Sequence, residues 1–510
     1  MKAAIVGAGP NGLTAAARLA RAGWQVEVFE AAPTPGGAAR SSRDALGPGT
    51  IVDHGAAAHP FGVVSPAFRS LDLERHGVEW LHPRYALAHP LPDPIARELG
   101  SGARAAFLHR TVEETAAQFS ARGDSRAFAA LHAPVARSLE DILPAALSPS
   151  AAVQNPAKAL ADPAAAAALV RFGLRAAWPA RALGRAAFRG EAARALLAGS
   201  AAHAITPPSR ALTASIGVLF GALGMASGWP VARGGSQAIV DALCRVIARH
   251  GGSIHCGQRV TDIAQVGAAD AVILDVSPRG ALTMGGMNLP PRVKRQFRRW
   301  RFGPGVYKVD YLLDGAVPWA DPRVGEAGTV HVGGTADDID RAERHVAARH
   351  LPQRPFVMAC QQAAADPSRG PVLWTYAHVP HGYREAYPGE VAGLIEKQIE
   401  RFAPGFRDRI RRRRITTPAQ LEAWDANLVG GDIAAGAMSG LQMIARPGLT
   451  LDPYRVAGPD RTPPGVGPVY LCSAATPPGG GVHGMGGWNA AHAVLADAVL
   501  AGAALTPPSF

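Results

Sequence analysis

The chain has 510 residues, of which 48% are hydrophobic and 18% are charged, and these proportions exclude an intrinsically disordered protein. A formal net charge of +12 suits nucleic acid, an anionic membrane surface or an anionic ligand. Because no Cys-x-x-Cys or Cys/His pattern occurs, we predict neither a metal site nor a disulfide framework. The N-terminal apolar run meets a glycine at position 7, too early for a secretory signal, and we expect a cytoplasmic protein.

The first thirty residues have the pattern of a dinucleotide-binding unit. The predicted elements are a strand over Lys2–Val6, a helix over Asn11–Arg21 and a second strand over Gln25–Glu30. Gly7 permits a tight turn, Gly9 leaves room for a pyrophosphate over the helix N-terminus, and Gly12 lets helix and strand pack closely. Glu30 ends the second strand, where a carboxylate accepts hydrogen bonds from a ribose. The predicted cofactor-binding residues here are Gly7, Gly9, Pro10, Asn11, Gly12 and Glu30.

A second glycine pair distinguishes between dinucleotides. Gly36 and Gly37 follow Glu30 by six residues, and this arrangement resembles the FAD fingerprint of the amine oxidase and phytoene desaturase superfamily. In that superfamily an arginine follows the pair at once and approaches the flavin phosphates. Here Ala38 holds that place and Arg40 follows two positions later, so Arg40 is the candidate for the contact. The resemblance implies FAD as the cofactor.

The stretch "IVDHGAAAHPFG" continues this resemblance, because desaturase-like flavoproteins have an Asp-x-Gly turn after the next strand. Asp53 and Gly55 match that turn. If the turn faces the flavin, His59 contacts the ring or the substrate. The alternative is a hydrogen-bonded histidine that caps the turn.

Residues 211–232 form an uncharged stretch that is long enough to span a bilayer. Its serine, threonine, glycine and proline content favours a buried helix that lines an apolar cavity instead.

The segment before it carries arginines at four-residue spacing, which places them on one face of a helix. That face is either a membrane-surface helix or an ordinary solvated face. No nucleic-acid-binding module accompanies the charge, so we expect no nucleic-acid partner. The residues concerned are Arg171, Arg175, Arg181, Arg185 and Arg189.

A second part of the nucleotide domain begins near residue 229. The periodicity predicts a helix over Ser236–His250, then strands through Ile254, over Val260–Ile263 and within "ADAVILDVSP". This resembles the second segment of the same flavoprotein fold, in which the backbone of a valine at the position of Val260 meets the adenine. We therefore predict an FAD-binding domain made of 1–76, 229–284 and 451–510, with 77–228 and 285–450 forming a substrate-binding domain with a helical cap.

Within 285–450, the arginine clusters 292–301 and 407–414 read as solvated helix ends. Between them, "GPGVYKVDYLLDG" alternates as a strand that places Lys308 and Asp310 on one face. In some amine oxidases a strand lysine near this point holds a water at flavin N5. The alternative is a Lys308/Asp310 pair on the surface.

The stretch "PPGGGVHGMGGWNAA", residues 477–491, repeats the combination of a strand, a glycine-rich turn and a helix. No further strand follows its helix before Phe510, so we expect it to complete the first nucleotide site. This stretch resembles the phytoene desaturase, carotenoid ketolase and retinol saturase branch, in which the turn points a helix N-terminus at the flavin ring. The resemblance implies ring contacts by Gly484, Met485, Gly486, Gly487 and Asn489.

Two side chains in this stretch have alternative interpretations. His483 contacts substrate or is a structural turn residue, and Trp488 shields a flavin edge or fills core. The predicted catalytic residues are His59, Lys308, His483 and Trp488.

The predicted fold is α/β, with a discontinuous Rossmann-type FAD-binding domain and an inserted α+β domain. The predicted activity is hydride transfer between an apolar, isoprenoid-like or polyene substrate and flavin N5, in a protein with possible peripheral membrane contact. The alternatives are an amine oxidase that releases hydrogen peroxide and a non-catalytic flavin-binding protein. The sequence indicates no particular oligomeric state.

Overall fold

The computed structural model describes residues 1–100, 102–147 and 163–502. Residues 101 and 148–162, in the predicted substrate-binding segments, and 503–510, at the end of the last predicted FAD-binding segment, lie outside the described residues.

Two large sheets organise the described chain. The strands are β1 (Lys2–Val6), β2 (Gln25–Phe29), β3 (Ser41–Arg43), β4 (Ile51–Asp53), β5 (Trp80–Leu81), β6 (Tyr85–Pro90), β7 (Ala105–Leu108), β8 (Val231–Ala232), β9 (Ser253–His255), β10 (Ala271–Leu274), β11 (Gly305–Leu313), β12 (Ala327–Val332), β13 (Val357–Cys360), β14 (Val372–Val379), β15 (Ile410–Thr416), β16 (Arg455–Ala457) and β17 (Val469–Leu471).

The helices are α1 (Pro10–Arg21), α2 (Pro66–Ser70), α3 (Asp93–Ala96), α4 (Val112–Ala117), α5 (Asp124–Arg137), α6 (Leu139–Leu147), α7 (Pro163–Ala176), α8 (Ala180–Ala187), α9 (Glu191–Ala201), α10 (Thr213–Ala226), α11 (Gln237–Arg249), α12 (Pro278–Thr283), α13 (Pro291–Arg298), α14 (Ala336–Ala347), α15 (Glu390–Glu400), α16 (Pro418–Trp424) and α17 (Met485–Leu500).

The first sheet has the order β16-β17-β10-β1-β2-β9, and only β16 runs antiparallel to its neighbour. Its strands are apolar on both sides, as parallel strands covered by helices are. One face packs against α1, α11 and α17, and the other packs against α12 and α13. The predicted α/β fold class is confirmed. The strands of this sheet lie in all three predicted FAD-binding segments. The boundaries of those segments stay a prediction.

The second sheet has the order β15-β11-β14-β13-β12-β6-β7 and is largely antiparallel. One face buries Tyr307, Val309 and Tyr311 against α15. The other face packs against α9, α14, α16 and Ala57, a residue that closely follows the Asp53 turn. This second face therefore lies next to the Asp53 turn.

Three predicted elements are wrong in detail. Val260–Ile263 is not a strand, because the Asp262 side chain caps a short 3-10 helix over Ile263–Val266. The cluster 407–414 is not a helix end, since most of it lies in β15, an edge strand on which charged residues discourage pairing with other chains. The C-terminal helix begins at Met485 and not at Asn489.

The predicted single arginine face is also wrong. Trp178 and Pro179 separate α7 from α8, so the five arginines do not share one helix. Arg181 and Arg185 form ion pairs with Asp337 of α14, which removes their charges from a free surface.

The uncharged stretch 211–232 contains α10, whose side chains are mostly buried within the protein. Across the three described ranges, no helix combines the length and apolar character needed to cross a bilayer.

Candidate active site

The N-terminal glycine turn is a backbone cradle. A Cβ atom on Gly12 would lie 2.1 Å from the Gly7 carbonyl oxygen, and one on Gly9 would lie 2.6 Å from Asp275 Oδ2. Gly7 has a φ of +102°, a conformation that side chains disfavour. These positions therefore accept only glycine, as a turn that meets a pyrophosphate with its backbone requires.

Asp275 is a site residue that the sequence interpretation missed. Its Oδ2 accepts a 2.9 Å hydrogen bond from the Gly12 N–H, at the N-terminal end of α1. Burial raises the pKa of this carboxyl to about 7, and the charges of Asp425 and Glu30 act in the same direction. The signal was present, because Asp275 directly follows β10, and β10 is a parallel neighbour of β1 that ends at the same sheet edge.

The predicted ribose and phosphate residues surround this turn. Glu30 accepts 2.7 Å hydrogen bonds from the N–H groups of Ala8 and Ala32. Gly36 donates its N–H to the Ala8 carbonyl at 2.8 Å. A Cβ on Gly37 would lie 3.0 Å from the Gly9 Cα. The second glycine pair is thus pressed against the first glycine turn.

Arg40 lies in the same loop. Its Nε donates to the Gly37 carbonyl, and its guanidinium stacks 4.2 Å from the centre of the Trp424 ring. Asp425 and Glu30 are the acids whose charges act on it. Val260 is partly buried against the first sheet, and its contact with the adenine stays a prediction.

The C-terminal glycine turn meets the N-terminal one directly. A Cβ on Gly487 would lie 1.8 Å from the Asn11 carbonyl oxygen, and one on Gly486 would lie 2.5 Å from the Cys472 carbonyl oxygen. A Cβ on Gly484 would lie 2.2 Å from Thr14 Oγ1. The first turn of α17 therefore packs against the first turn of α1 through backbone contacts.

Unused hydrogen-bonding groups remain at this junction. Asn11 Oδ1 is buried and has no partner among the described residues. Gly486 and Gly487 lie in the first turn of α17, where N–H groups lack the usual acceptor four residues earlier in the helix. Donors at a helix N-terminus suit a group that carries negative charge. The junction thus fits a flavin dinucleotide held by both turns.

The predicted catalytic histidines are both buried next to backbone turns. His59 Nε2 lies 2.9 Å from Ser236 Oγ, and burial lowers the pKa of His59 to about 4. His483 Nδ1 accepts from the Met485 N–H at 3.1 Å, and burial lowers the pKa of His483 to about 4 as well. Both side chains are neutral at pH 7, and their part in catalysis stays a prediction.

Two residues of α17 contact other helices. The Trp488 ring lies under the Arg18 guanidinium of α1, 3.9 Å from the ring centre. Asn489 donates to the Leu147 carbonyl of α6 at 3.3 Å. Their predicted contacts with the flavin stay predictions.

Lys308 forms a buried ion pair with Asp310, and the surface-pair alternative is wrong. The two side chains are 3% and 1% exposed. They are buried because β11 lies between β14 and β15 and both of its faces are covered. Burial lowers the pKa of Lys308 and raises that of Asp310, and each partner opposes the shift of the other.

A second buried ion pair joins the Asp53 turn to the second sheet. Asp53 Oδ2 lies 2.7 Å from Arg369 NH1, and the Asp53 carbonyl accepts from Trp374 Nε1. Burial alone would raise the pKa of Asp53, but Arg369, Ser41 and the Ser236 N–H hold it below its usual value. Nothing near Arg369 in the sequence indicated this role.

Comparisons with known proteins agree with this geometry. Pyridine nucleotide-disulfide oxidoreductase domain-containing protein 2 of Rattus norvegicus is 28% identical over 97% of this chain and 93% of the rat protein. An uncharacterized protein of Mycobacterium tuberculosis is 25% identical over 96% of each chain.

Two solved structures have the same fold. An oxidoreductase from Methanosarcina mazei superposes with a TM-score of 0.59 at 16% identity, over 97% of this chain and 100% of the other. Putrescine oxidase bound to putrescine superposes with a TM-score of 0.57 at 16% identity, over 98% and 99%.

A family model described as flavin containing amine oxidoreductase matches residues 11–495, a range that includes the C-terminal glycine turn and most of α17. The chain therefore belongs to the flavin-containing amine oxidoreductase family and is an FAD-dependent oxidoreductase.

Proposed function

We propose that this protein transfers a hydride between an apolar substrate of isoprenoid or polyene type and FAD, as desaturases, saturases and ketolases of the phytoene desaturase branch do. When bound, FAD supplies a hydride acceptor or donor at N5. The chain itself supplies the apolar site and the electrostatic setting.

The observation that carries this proposal is the apolar face of the second sheet. Val306, Met358 and Tyr376 share this face, which packs with Ala57 beside the Asp53 turn. Other members of the same cluster are Cys360, Trp374, Leu421 and Leu428. An extended apolar substrate that reaches this apolar interior gains free energy from the burial of its own surface, at roughly 25 cal/mol per Å².

Charges beside this face neutralise each other. Lys308 is paired with Asp310, and Asp53 is paired with Arg369. A substrate ammonium needs a free carboxylate or an aromatic cage when it is buried. These two acids are not free to serve as that carboxylate, which favours a neutral substrate.

The two helix N-termini act on the cofactor. Gly486 and Gly487 lie in the first turn of α17, where the partial positive charge of their N–H groups would favour negative charge on a bound flavin ring. His483 accepts a hydrogen bond from the Met485 N–H and is neutral at pH 7, so it adds no charge at this helix end. Asn11 Oδ1 adds a buried acceptor on the α1 side.

One observation favours the amine oxidase alternative. Glu343 of α14 is buried, and its Oε1 lies 2.8 Å from His378 Nδ1. Its Oε2 has no partner in the described ranges, so this carboxylate has one oxygen free to receive an ammonium group.

Anaerobic flavin spectroscopy separates the two functions. We expect a detergent-dispersed polyene to bleach the visible flavin band, or to restore it after chemical reduction if the protein saturates double bonds. Free FAD in the same micelles is the control. If polyenes change the spectrum in neither direction and, in a parallel assay with oxygen, amines release hydrogen peroxide in a Glu343-dependent reaction, the protein is an amine oxidase.

A further inference from the structure

A basic helix forms one side of a surface outside the active site. α13 and the three residues after it carry six cations and no acidic residue. Five of the six are exposed and Lys294 is partly exposed. None of the six forms an ion pair with an acid in the described chain. They are Arg292, Lys294, Arg295, Arg298, Arg299 and Arg301.

Exposed aliphatic side chains form the other side. Of the eleven large hydrophobic residues that are exposed in the described chain, four lie within 441–451. They are Leu441 (82% exposed), Ile444 (63%), Leu449 (85%) and Leu451 (73%). Such clustering of exposed apolar residues marks an interaction site.

Hydrogen bonds join the two sides into one surface, which we call the α13 surface (residues 291–301 and 441–451). Arg292 donates to the Leu449 carbonyl at 2.8 Å. The Gln442 side chain accepts from the Arg301 N–H and donates to the Arg301 carbonyl at 3.1 and 2.7 Å. The aliphatic side chains are therefore held beside the cations.

The α13 surface lies beside the C-terminal glycine turn. Arg446, in the middle of 441–451, is 2% exposed and donates to the Ala434 and Ala435 carbonyls. Its guanidinium lies 5.1 Å from the centre of the ring of Trp300, the second residue after α13. A Cβ on Gly479 would lie 3.5 Å from Arg446 NH1. A single buried arginine thus links the surface to the turn that leads into α17.

We propose that the α13 surface docks on an anionic lipid bilayer, with the cations at the headgroups and the aliphatic side chains inserted between them. Each cation near an anionic leaflet contributes about 1 kcal/mol, or about fivefold in affinity. Apolar side chains inserted beside a basic helix add to this attraction. Docking would also bring the enzyme to apolar substrates dissolved in the bilayer. That role rests on the proposed function, whereas the docking itself does not.

Other occupants fit the chemistry less well. Nucleic-acid surfaces stack bases on aromatic side chains, whereas the exposed apolar residues here are aliphatic. A second copy of the chain in a symmetric contact would bring six cations against six. The arginines of α7 and α8 are a weaker membrane surface, because Arg181 and Arg185 are paired with Asp337.

Vesicle flotation tests the proposal on the full-length, FAD-loaded protein. We expect binding to vesicles of equimolar phosphatidylcholine and phosphatidylglycerol, little binding to pure phosphatidylcholine, and weaker binding at higher salt. Arg295→Gln/Arg298→Gln is expected to weaken binding about thirtyfold. Leu441→Ser/Leu449→Ser is expected to weaken it at high salt as well, because that contribution is not electrostatic.

The matched control is Arg249→Gln/Arg349→Gln, which removes two exposed arginines elsewhere. Equal loss of binding in this control, or no binding to anionic vesicles, overturns the proposal. So does self-association or RNA binding that depends on Arg295 and Arg298 while vesicle binding does not. If vesicle binding behaves as expected but no apolar substrate in detergent changes the flavin spectrum, the proposed function fails and the docking surface stands.

Discussion

The junction of the two glycine turns and the adjoining face of the second sheet are built by opposite means. At the junction, α1 and α17 approach because side chains are absent, and main-chain atoms make the contacts. On the sheet, the structure depends on buried charged side chains from distant parts of the chain, such as Asp53 with Arg369. Cofactor binding therefore depends on backbone shape, whereas the position of the Asp53 turn beside β14 depends on charge pairing.

The largest effect is expected from breaking the buried pair between the Asp53 turn and the segment before β14. Arg369→Met leaves the Asp53 carboxylate buried without its cation, which costs about 3–5 kcal/mol of unfolding free energy. Chemical denaturation measures this loss. The double variant Arg369→Met/Asp53→Asn removes the stranded charge and should recover part of the stability. A single variant as stable as the wild type contradicts the pairing.

A smaller loss is expected at the junction. The added Cβ of Gly487→Ala meets the Asn11 carbonyl, so the variant should lose about 1–3 kcal/mol and release FAD. The matched control is Gly393→Ala in α15, where a Cβ has nothing within 4 Å. That control should gain up to about 1 kcal/mol. Equal behaviour of the two variants would argue against close packing of α17 on α1.

The raised pKa of Asp275 predicts that FAD binding depends on pH. Because burial raises its pKa to about 7, its carboxyl is neutral below that pH and anionic above it, beside the expected pyrophosphate. Affinity for FAD should fall as pH rises through 7, by at most about tenfold per pH unit. The raised pKa also predicts that Asp275 contributes stability at low pH, which is lost as pH rises from about 4 to about 7.

Asp275→Asn keeps the shape and removes the charge. We expect the variant to bind FAD with little change between pH 6 and 8, measured by quenching of flavin fluorescence. A pH profile that matches that of the wild type would assign the titration to another group.

The smallest effect is expected at Trp488. Its ring stacks on Arg18, so Trp488→Leu should cost about 0.5–1 kcal/mol through the lost cation–π contact. Flavin content and the rate of flavin reduction should stay unchanged. A large loss of rate at unchanged stability would instead support the predicted flavin-shielding role.

The sequence predicted the strands and helices around both glycine turns because their signals are local. Glycine spacing and apolar periodicity within residues 2–30 and 469–500 are sufficient to predict these strands, turns and helices. Asp275 is also predictable from the sequence, since an acid that follows a parallel strand lies at the same sheet edge as the glycine turn. The start of α17 was placed too late because glycines at 486 and 487 suggested turn, whereas close packing on α1 requires them inside a helix.

The second sheet was harder to predict because its contacts are remote in sequence. Asp53 and Arg369 are 316 residues apart, and neither neighbourhood indicates a partner. The alternation in β11 is typical of a strand with one solvated face, which is why a surface pair of Lys308 and Asp310 stands as an alternative in the sequence analysis. Only the order of strands, which puts β11 in the interior, shows that the pair is buried.

The stoichiometry of FAD tests the central claim that both ends of the chain hold a single cofactor. We expect one FAD per chain in the purified protein, and loss of that FAD when either Gly12 or Gly486 is replaced by valine, with circular dichroism confirming the fold of each variant. Two FAD per chain, or full retention of FAD when either glycine is replaced, would contradict it.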